Sequence, residues 1–247
     1  MIELQGIHKA FGANRVLRGV DLTIEPGETL TIIGGSGTGK SVLFKVMLGL
    51  LPPDQGSIRI DGREVTGLRE RDRLAVTGRF GMVFQGGALF DSLTVGENVA
   101  FGIAPDRNGR AGIDEAVRQS LEMVGLPDIA AMMPAELSGG MRKRVAIARA
   151  IAKEPDFILY DEPTTGLDPI MSDVINELIL RVGRREGITS VVITHDLVSA
   201  YKISSRIAML YEGRIIETGT VEEIRHTTNE IIRQFIEGRS SGPVSVR

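Results

Sequence analysis

The sequence has 247 residues, of which 42% are hydrophobic, and a formal net charge of −3. A chain of this length and composition can bury a full core as one large domain or two lobes, and its charge gives no general basis for binding nucleic acid. Cysteine is absent, which excludes disulfides and thiolate metal sites.

A glycine-rich segment is the first motif along the chain, and it reads Gly34-Gly35-Ser36-Gly37-Thr38-Gly39-Lys40-Ser41. The apolar run before it, Thr29–Ile33, predicts a buried parallel strand, and residues 42–48 predict a helix that is apolar nearly all round. Strand, loop and helix are the context of a P-loop, whose backbone N–H groups surround phosphate oxygens. We therefore expect Lys40 to reach the outer phosphates and Ser41 to bind magnesium. A glycine-rich turn without a nucleotide is the alternative.

Two-residue turns at Asp61-Gly62 and Glu212-Gly213 predict short β-hairpins near the two ends of the core. Between Gln85 and Pro155 the pattern becomes helical, and its apolar positions at Val117, Leu121 and Val124 share one face. We expect that helix to start at the acidic pair Asp114-Glu115. Residues 103–112, rich in glycine and charge, predict a loop.

The segment Leu137-Ser138-Gly139-Gly140-Met141 is a second candidate anion site. It places a hydroxyl and two unhindered glycine amides at the predicted N-terminus of a helix, where backbone N–H groups point outward. The basic cluster that follows, Arg142-Lys143-Arg144, is interpreted as the solvated face of an exposed helical turn rather than as a binding patch.

Residues 157–162 predict a buried strand that ends in the carboxylates of Asp161 and Glu162. Two adjacent buried acids are costly unless a cation or donors compensate, which disfavours a purely structural pair. Asp161 would then hold magnesium and Glu162 would polarise the attacking water. A further apolar strand, residues 190–193, delivers Thr194 and His195 to a sheet edge.

After Thr220, the sequence predicts a helix from Val221 and a second one from Glu230 to Glu237. Residues 238–247 are rich in glycine and serine, and we expect them to be mobile. The N-terminus lacks the pattern of a signal peptide, and no apolar run of about 18 residues predicts a membrane span. If the chain acts at a membrane, another protein is expected to anchor it.

The P-loop, the Leu137–Met141 motif and the Asp161-Glu162 pair together resemble the ABC-type ATPases over nearly the whole chain. This resemblance implies an α/β P-loop NTPase fold, with a RecA-like ABC ATPase core, an antiparallel β subdomain and an inserted helical subdomain. The implied single ABC ATPase domain covers residues 1–247. Residues 1–84 and 156–225 would form the ATP-binding core with the β subdomain, 85–155 the helical subdomain with the signature motif, and 226–247 the C-terminal helix and tail.

The same resemblance implies ATP and Mg²⁺ as ligands and assigns roles to residues. Glu162, the switch histidine His195 and the Q-loop residue Gln85 would be catalytic, whereas His8 and His226 are interpreted as ordinary core or surface residues. Metal ligands would be Ser41, Gln85 and Asp161. Nucleotide contacts would come from the P-loop residues 34–41, from Ser138, Gly139 and Gly140, from Asp168 in the D-loop, and, at the adenine, from Phe11 and Val16. For Phe11, a core aromatic is the competing interpretation.

A signature motif also implies a dimer, because in this family Ser138-Gly139-Gly140 of one chain would cap the ATP that the partner's P-loop holds. The chain has no second P-loop and no repeated signature, so the other half must come from another chain. A homodimer with two composite sites is the simplest arrangement. ATP binding would close the two chains together, and hydrolysis would let them separate.

Three stretches are more specifically similar to the ATPase of the Mla/Mce phospholipid-trafficking systems: Phe84-Gln85-Gly86-Gly87-Ala88-Leu89-Phe90-Asp91, Met133 to Met141, and Arg233-Gln234-Phe235-Ile236-Glu237-Gly238. That similarity implies a peripheral ATPase on the cytoplasmic face of the inner membrane, beneath integral permease subunits. An MCE-domain lipid-binding protein and a small STAS-domain protein would complete a complex that moves phospholipid between inner and outer membranes. Nucleic acid is not among the expected partners. The segment Thr164 to Asp168 has the general transporter form and does not favour the lipid family.

Three alternatives remain open at this point. The first is the ATPase of an importer for a small solute such as an amino acid or a sulfonate. The second is a soluble ABC ATPase acting on DNA repair or ribosomes, which is disfavoured because the chain has neither a second ATPase half nor a long coiled-coil insertion. The third, a nucleotide-binding regulator without hydrolysis, is disfavoured because Glu162 and His195 are both present.

Overall fold

The structure, a computed structural model, describes residues 1–103 and 109–244. Within these ranges the chain forms two sheets and a set of flanking helices. The strands are β1 Ile2–Phe11, β2 Asn14–Ile24, β3 Thr29–Ile33, β4 Gln55–Ile60, β5 Arg63–Glu64, β6 Phe80–Val83, β7 Phe157–Asp161, β8 Thr189–Ile193, β9 Arg206–Tyr211 and β10 Arg214–Thr220. The helices are α1 Lys40–Met47, α2 Glu70–Thr77, α3 Val95–Ala100, α4 Gly109–Met123, α5 Gly139–Ile151, α6 Pro169–Glu186, α7 Leu197–Ile203, α8 Val221–Arg225 and α9 Glu230–Ile236.

The larger sheet carries the site. Its strand order is β10-β9-β3-β8-β7-β6, with parallel pairing from β9 across to β6 and an antiparallel edge strand β10. Every residue of β3 and β8 is buried, as expected for central strands covered on both faces. The loops that follow β3, β6, β7 and β8 therefore leave the sheet at the same edge, which is where ligands bind in open α/β sheets.

The smaller sheet is antiparallel and has the order β2-β1-β4-β5. Its apolar face packs on α1 and β3 in one continuous core that includes Ile2, Val20 and Phe44. Arg79 ties this sheet to the larger one, because its guanidinium donates to Asp61 at 2.6 Å and to Asp156 at 2.5 Å. The P-loop thus lies between two sheets that share a core.

A second apolar core fills the helical part of the chain, where α3, α4 and α5 pack together beside β6 and β7. Val117, Leu121 and Val124 lie in this core, which confirms their shared face. The expected start of the helix at Asp114 was wrong, because α4 already begins at Gly109. The apolar face extends back to Ile113, which packs against this core, so the helix begins before the acidic pair. Of the expected loop 103–112, residues 109–112 are therefore helical, and 104–108 lie outside the described residues.

Both predicted hairpin turns are present. Asp61 and Gly62 have φ of 49° and 76°, and Glu212 and Gly213 have 45° and 77°, as a two-residue type I′ turn requires. Among the residues described, no helix has the length and apolar character needed to cross a bilayer.

The C-terminal segment folds back on α9, although we expected residues 238–247 to be mobile. The amide of Gln234, itself buried, donates to the carbonyls of Arg239 and Val244 and accepts from the Val244 N–H at 2.7 Å. The physical reason is that a buried amide needs partners, and the backbone of residues 239–244 supplies them. The residues beyond 244 lie outside the described chain.

Candidate functional site

The P-loop forms the turn between β3 and α1. Gly34 lies where a Cβ atom would come within 2.4 Å of the Leu210 carbonyl oxygen, so only glycine fits. Gly39 caps α1 in the left-handed region at φ 105°. The segment 34–41 therefore wraps the N-terminus of α1 and turns its backbone N–H groups toward the space where phosphate would bind.

Lys40 lies under this loop with 8% of its surface exposed. Its Nζ donates to the carbonyls of Gly34 and Gly35 at 2.7 and 2.9 Å. Burial lowers the pKa of the Lys40 ammonium, and the nearby Glu162 and Asp161 carboxylates oppose that shift. A buried ammonium thus lies between the loop and the two acids.

Asp161 is the last residue of β7, and Glu162 follows it in the left-handed region at φ 49°. Burial raises the pKa of the Asp161 carboxyl, and the neighbouring Glu162 adds to this, whereas Lys40 and Lys143 oppose it. Positive φ is uncommon for a non-glycine residue and persists only where the surroundings hold it. Here the Glu162 N–H donates to the Ile193 carbonyl at 2.9 Å, so the backbone is tied to β8.

The Glu162 carboxylate is held by side chains from two loops. Thr165 donates its hydroxyl to Oε2 at 3.0 Å, and the Thr194 hydroxyl lies 3.4 Å from the same oxygen. His195 Nδ1 lies 3.0 Å from Oε1, and the histidine side chain is 62% exposed. The structure thus brings two of the three predicted catalytic residues, Glu162 and His195, together at the edge of the sheet, and His195 is exposed.

Gln85 follows β6, two residues beyond the end of that strand, and is exposed. Its backbone carbonyl accepts a hydrogen bond from Lys143 Nζ, and the next part of the loop is anchored by Arg149, which donates to the carbonyls of Gly87 and Ala88 at 2.8 and 2.7 Å. Our interpretation of residues 142–144 as a solvated face was wrong for Lys143, which is 6% exposed. The helix turns this side chain inward because its ammonium satisfies carbonyls at the ends of two strands.

Ser138 caps the N-terminus of α5, where its hydroxyl accepts from the Met141 N–H at 3.2 Å. Gly139 is exposed, whereas Gly140 is covered by Met171 of α6, whose Cε would meet an added Cβ at 2.4 Å. Asp168 caps α6 and accepts from the N–H groups of Ile170 and Met171 at 3.0 Å each. The signature motif and the D-loop are therefore neighbours within one chain.

The P-loop glycines have other neighbours. Gly39 lies against Val16 and Leu17 of β2, and Gly34 against Thr38 and Leu210. These contacts share no residue with those of Gly139 and Gly140. The glycines of the P-loop and those of the Leu137–Met141 motif thus have different nearest neighbours within one chain.

A cavity of about 770 Å³ opens beside the P-loop. Its walls come from β2, the P-loop, the β9–β10 turn and the C-terminal segment, and include Val16, Ser36, Gly213, Arg239 and Val244. Val16 is thus placed where a base could contact it. Phe11 ends β1 and is 51% exposed, with Lys9 Nζ 5.9 Å from its ring, and its stacking on adenine stays a prediction.

Sequence reasoning missed four contributors to this site: Lys143, Arg149, Thr165 and the C-terminal wall. Thr165 follows the acidic pair by three residues and was visible as part of the D-loop stretch. Lys143 and Arg149 lie on α5 six residues apart. No pattern in the sequence indicates that their side chains donate to backbone carbonyls in the loops after β6 and β7. Only the fold shows that.

Comparisons with known proteins show which family the chain resembles. A family model described as "ABC transporter" matches residues 17–165. Protein TRIGALACTOSYLDIACYLGLYCEROL 3, chloroplastic, of Arabidopsis thaliana is 41% identical over 99% of this chain and 75% of its own length. The intermembrane phospholipid transport system ATP-binding protein MlaF of Haemophilus influenzae is 39% identical over 99% and 93%. The phosphate import ATP-binding protein PstB 2 of Natronomonas pharaonis is 40% identical over 96% and 86%.

A solved structure is also similar to this chain. The ATP-binding cassette MJ0796, in a dimeric post-hydrolysis state bound to ADP and Pi, has a TM-score of 0.82 and 32% identity. The match covers 90% of this chain and 99% of that one.

Proposed function

The chain belongs to the ABC transporter ATPases, and on that premise we propose that it powers phospholipid transport between inner and outer membranes, as an ATPase of the Mla/Mce type. Members of this family bind and hydrolyse ATP, and so does this chain. The observation that carries the catalytic part is the Glu162 carboxylate, held by His195 and Thr165 beside a P-loop whose lysine is buried.

The P-loop N–H groups bind the phosphates, and Lys40 leaves the carbonyls of Gly34 and Gly35 for the outer phosphate oxygens. Glu162 orients and polarises the attacking water, while His195 presents its exposed ring edge to the γ-phosphate. Catalysis of this kind depends on positioning and charge, which fits a carboxylate that three side chains hold.

Magnesium fits the donors present. The Ser41 hydroxyl, the Asp161 carboxylate and the Gln85 amide are oxygen ligands of the kind Mg²⁺ prefers, and Asp161 is an acid whose burial raises its pKa, a cost that a cation would offset. When bound, the ion would neutralise the negative charge that develops on the phosphate in the reaction. Few protein ligands are needed, because Mg²⁺ keeps waters and phosphates as its other ligands.

Two chains would form the complete site. Ser138 and Gly139 lie at the N-terminus of α5, away from the contacts of their own P-loop, so they are free to cap ATP held by a second copy. Asp168 in the neighbouring D-loop would contact the opposite subunit. The similar cassette MJ0796 was solved as a dimer, which supports a homodimer here.

The phospholipid assignment is supported by three sequence stretches and by the relatives. MlaF is named for intermembrane phospholipid transport, and the Arabidopsis relative is named for a galactolipid. We propose integral inner-membrane permease subunits, an MCE-domain lipid-binding protein and a small STAS-domain protein as partners. The chain would lie peripherally on the cytoplasmic face of the inner membrane.

An importer ATPase for a small solute, such as an amino acid or a sulfonate, is the second candidate. The 40% identity to a phosphate import protein supports this candidate. Identity of this size therefore does not separate phospholipid-transport ATPases from importer ATPases. The catalytic assignments above would be unchanged, and only the permease and the cargo would differ.

Purification of the tagged chain from detergent-solubilised membranes tests the assignment, with partners identified by mass spectrometry and bound lipid extracted. Recovery of a permease with an MCE-domain protein and phospholipid is expected. Recovery of a permease with a soluble solute-binding protein and without an MCE-domain protein would overturn the phospholipid proposal in favour of the importer. An untagged chain from the same membranes is the control for adventitious lipid.

A further inference from the structure

Lys143 is a buried lysine in the second turn of α5, and its hydrogen bonds go to backbone carbonyls. Nζ donates to the carbonyl of Gln85 and, at 3.1 Å, to the carbonyl of Glu162. A lysine is almost never buried unless its charge has partners, so these contacts account for the position of the side chain.

The two carbonyls occupy equivalent places at the ends of neighbouring parallel strands. The ladder between β6 and β7 ends at the pair Val83 and Tyr160, and Gln85 and Glu162 each lie two residues beyond it. Past that point the strands no longer hydrogen-bond to each other. The Lys143 ammonium bridges the gap and gives both carbonyls a donor.

The charge of Lys143 also faces the acidic pair. Burial lowers the pKa of the Lys143 ammonium, and the Glu162 and Asp161 carboxylates oppose that shift. Lys40 has the same two acids as its electrostatic partners. The carboxylates of Asp161 and Glu162 therefore interact electrostatically with two buried ammonium groups, Lys40 on α1 and Lys143 on α5.

Glu162 is the residue that most needs such support. Its φ of 49° is a strained value for a residue with a side chain, and its N–H is already fixed to Ile193. Lys143 Nζ at 3.1 Å and the Thr165 N–H at 3.3 Å hold the other end of the same residue, at its carbonyl. A small rotation of the backbone there would move the carboxylate away from His195 and Thr165.

We propose that Lys143 is a positioning residue for ATP hydrolysis: it clamps the carbonyls of Gln85 and Glu162 and so fixes the catalytic carboxylate relative to the Q-loop and the signature helix. The inference rests on the role proposed above for Glu162. Ser138 caps α5, the helix that carries Lys143. If α5 shifts when Ser138 contacts a nucleotide, Lys143 would transmit that shift to Glu162 in the same chain. Arg149 anchors residues 87 and 88 to the same helix and so keeps the loop that contains Gln85 close to Lys143.

The test compares Lys143→Met, Lys143→Leu and Lys143→Arg in the full chain. Lys143→Met removes the donor and the charge, and we expect kcat to fall by about tenfold to a hundredfold, the range for outer partners that orient a reactive group. ATP affinity is expected to stay within about twofold, because the P-loop is intact. Lys143→Arg keeps a cationic donor and should recover most of the rate.

Hydrogen exchange provides a readout that a general loss of stability would not reproduce. In Lys143→Met, exchange should rise in peptides covering residues 84–88 and 161–165 and stay unchanged in the antiparallel sheet. The control is Lys153→Met, which removes a lysine that lies over Gly102 and should alter neither kcat nor exchange at those peptides.

Glu162→Gln, measured in parallel, distinguishes a failure of the inference on Lys143 from a failure of the proposed role of Glu162. If it abolishes hydrolysis while Lys143→Met keeps the wild-type kcat, the inference on Lys143 is wrong and the role of Glu162 stands. If Glu162→Gln keeps the wild-type kcat, the proposed function of Glu162 is wrong, and the inference on Lys143, which rests on it, falls with it. Should Lys143→Met not fold, Lys143→Leu decides, because leucine also lacks a donor whereas the amide of Lys143→Gln keeps one. A wild-type kcat in the folded Lys143→Leu variant would overturn the proposal.

Discussion

His195 Nδ1 lies 3.0 Å from Glu162 Oε1, and the two side chains come from loops that follow adjacent parallel strands. The carboxylate is largely buried whereas the imidazole is largely exposed. One edge of the ring thus contacts the acid, and under the proposed function the exposed edge would face the γ-phosphate.

This pairing predicts the effect of His195→Ala. The variant loses both the support of Glu162 and the ring that faces the phosphate, so kcat should fall by about a hundredfold or more. Binding of ATP should change little, because Lys40 and the P-loop amides are untouched. Steady-state turnover with a separate nucleotide-binding titration measures the two effects. His226→Ala, which removes an exposed histidine directly after α8, is the control.

Lys40→Met should lower the affinity for ATP, and not only the rate of turnover. It removes the only P-loop ammonium, and charge-assisted hydrogen bonds are each worth about 1.5–3 kcal/mol, so ATP affinity should fall at least tenfold. Lys45→Met removes a neighbouring exposed lysine of α1 and should leave the affinity nearly unchanged. Equal affinities for Lys40→Met and the wild type would remove Lys40 from the phosphate site.

Asn98 is a fully buried side chain that shapes the loop after Gln85. Its amide donates to the carbonyls of Phe90, Leu93 and Thr94 at 2.9–3.0 Å and accepts from the Phe90 N–H at 2.7 Å. Asn98→Ala removes the side-chain partner of all four groups, although the Phe90 and Thr94 carbonyls keep the N–H groups of Leu93 and Asn98 as donors. We expect the free energy of unfolding to fall by about 2–3 kcal/mol. Denaturant titration measures this, with the exposed Asn14→Ala as control. A loss below about 0.5 kcal/mol would show that water replaces the amide.

Gln234 is the tie between α9 and the C-terminal segment. Gln234→Ala removes its three hydrogen bonds to residues 239 and 244 and should free the segment, so that trypsin cleaves after Arg239 several-fold faster. Gln5→Ala, at an exposed position of β1, should not change the rate. Equal cleavage in the Gln234 variant would mean that the segment is already free in solution.

Asp61 predicts a small dependence of stability on pH. Hydrogen bonds from the N-terminal ammonium and from Arg79 hold the pKa of its carboxyl below the ordinary value of 3.8. A depressed pKa in the folded state stabilises the protein above the unfolded-state pKa, and that contribution is lost as pH falls below about 3.8. Asp61→Asn should therefore be less stable than the wild type at pH 6 and lose less stability between pH 5 and pH 3. Parallel curves for the two proteins would contradict this.

The sequence predicted the elements whose signals are local. Strand β3 and the hairpin turns at Asp61 and Glu212 follow from hydrophobic runs and from residue types that accept positive φ. The P-loop follows from its own spacing, and the predicted family and ATPase activity are confirmed by the comparisons. The roles of individual site residues stay predictions.

Features that depend on long-range contacts were not predictable. Lys143 looks like a surface residue in the sequence, and its burial depends on where the ends of β6 and β7 come to lie. The left-handed backbone of Glu162 likewise depends on a partner far along the chain, Ile193, whereas the return of residues 239–244 depends on the burial of the Gln234 amide. The early start of α4 was missed because its apolar face extends back to Ile113, before the acidic pair.

ATP turnover by Glu162→Gln is the most direct test of the central claim, that this carboxylate drives hydrolysis. The substitution keeps the shape of the side chain and its contact with Thr165 but removes its charge. We predict a fall in kcat of about a hundredfold or more with ATP binding retained, and no change for Glu222→Gln, an exposed glutamate of α8. A rate within about twofold of the wild type would contradict the account.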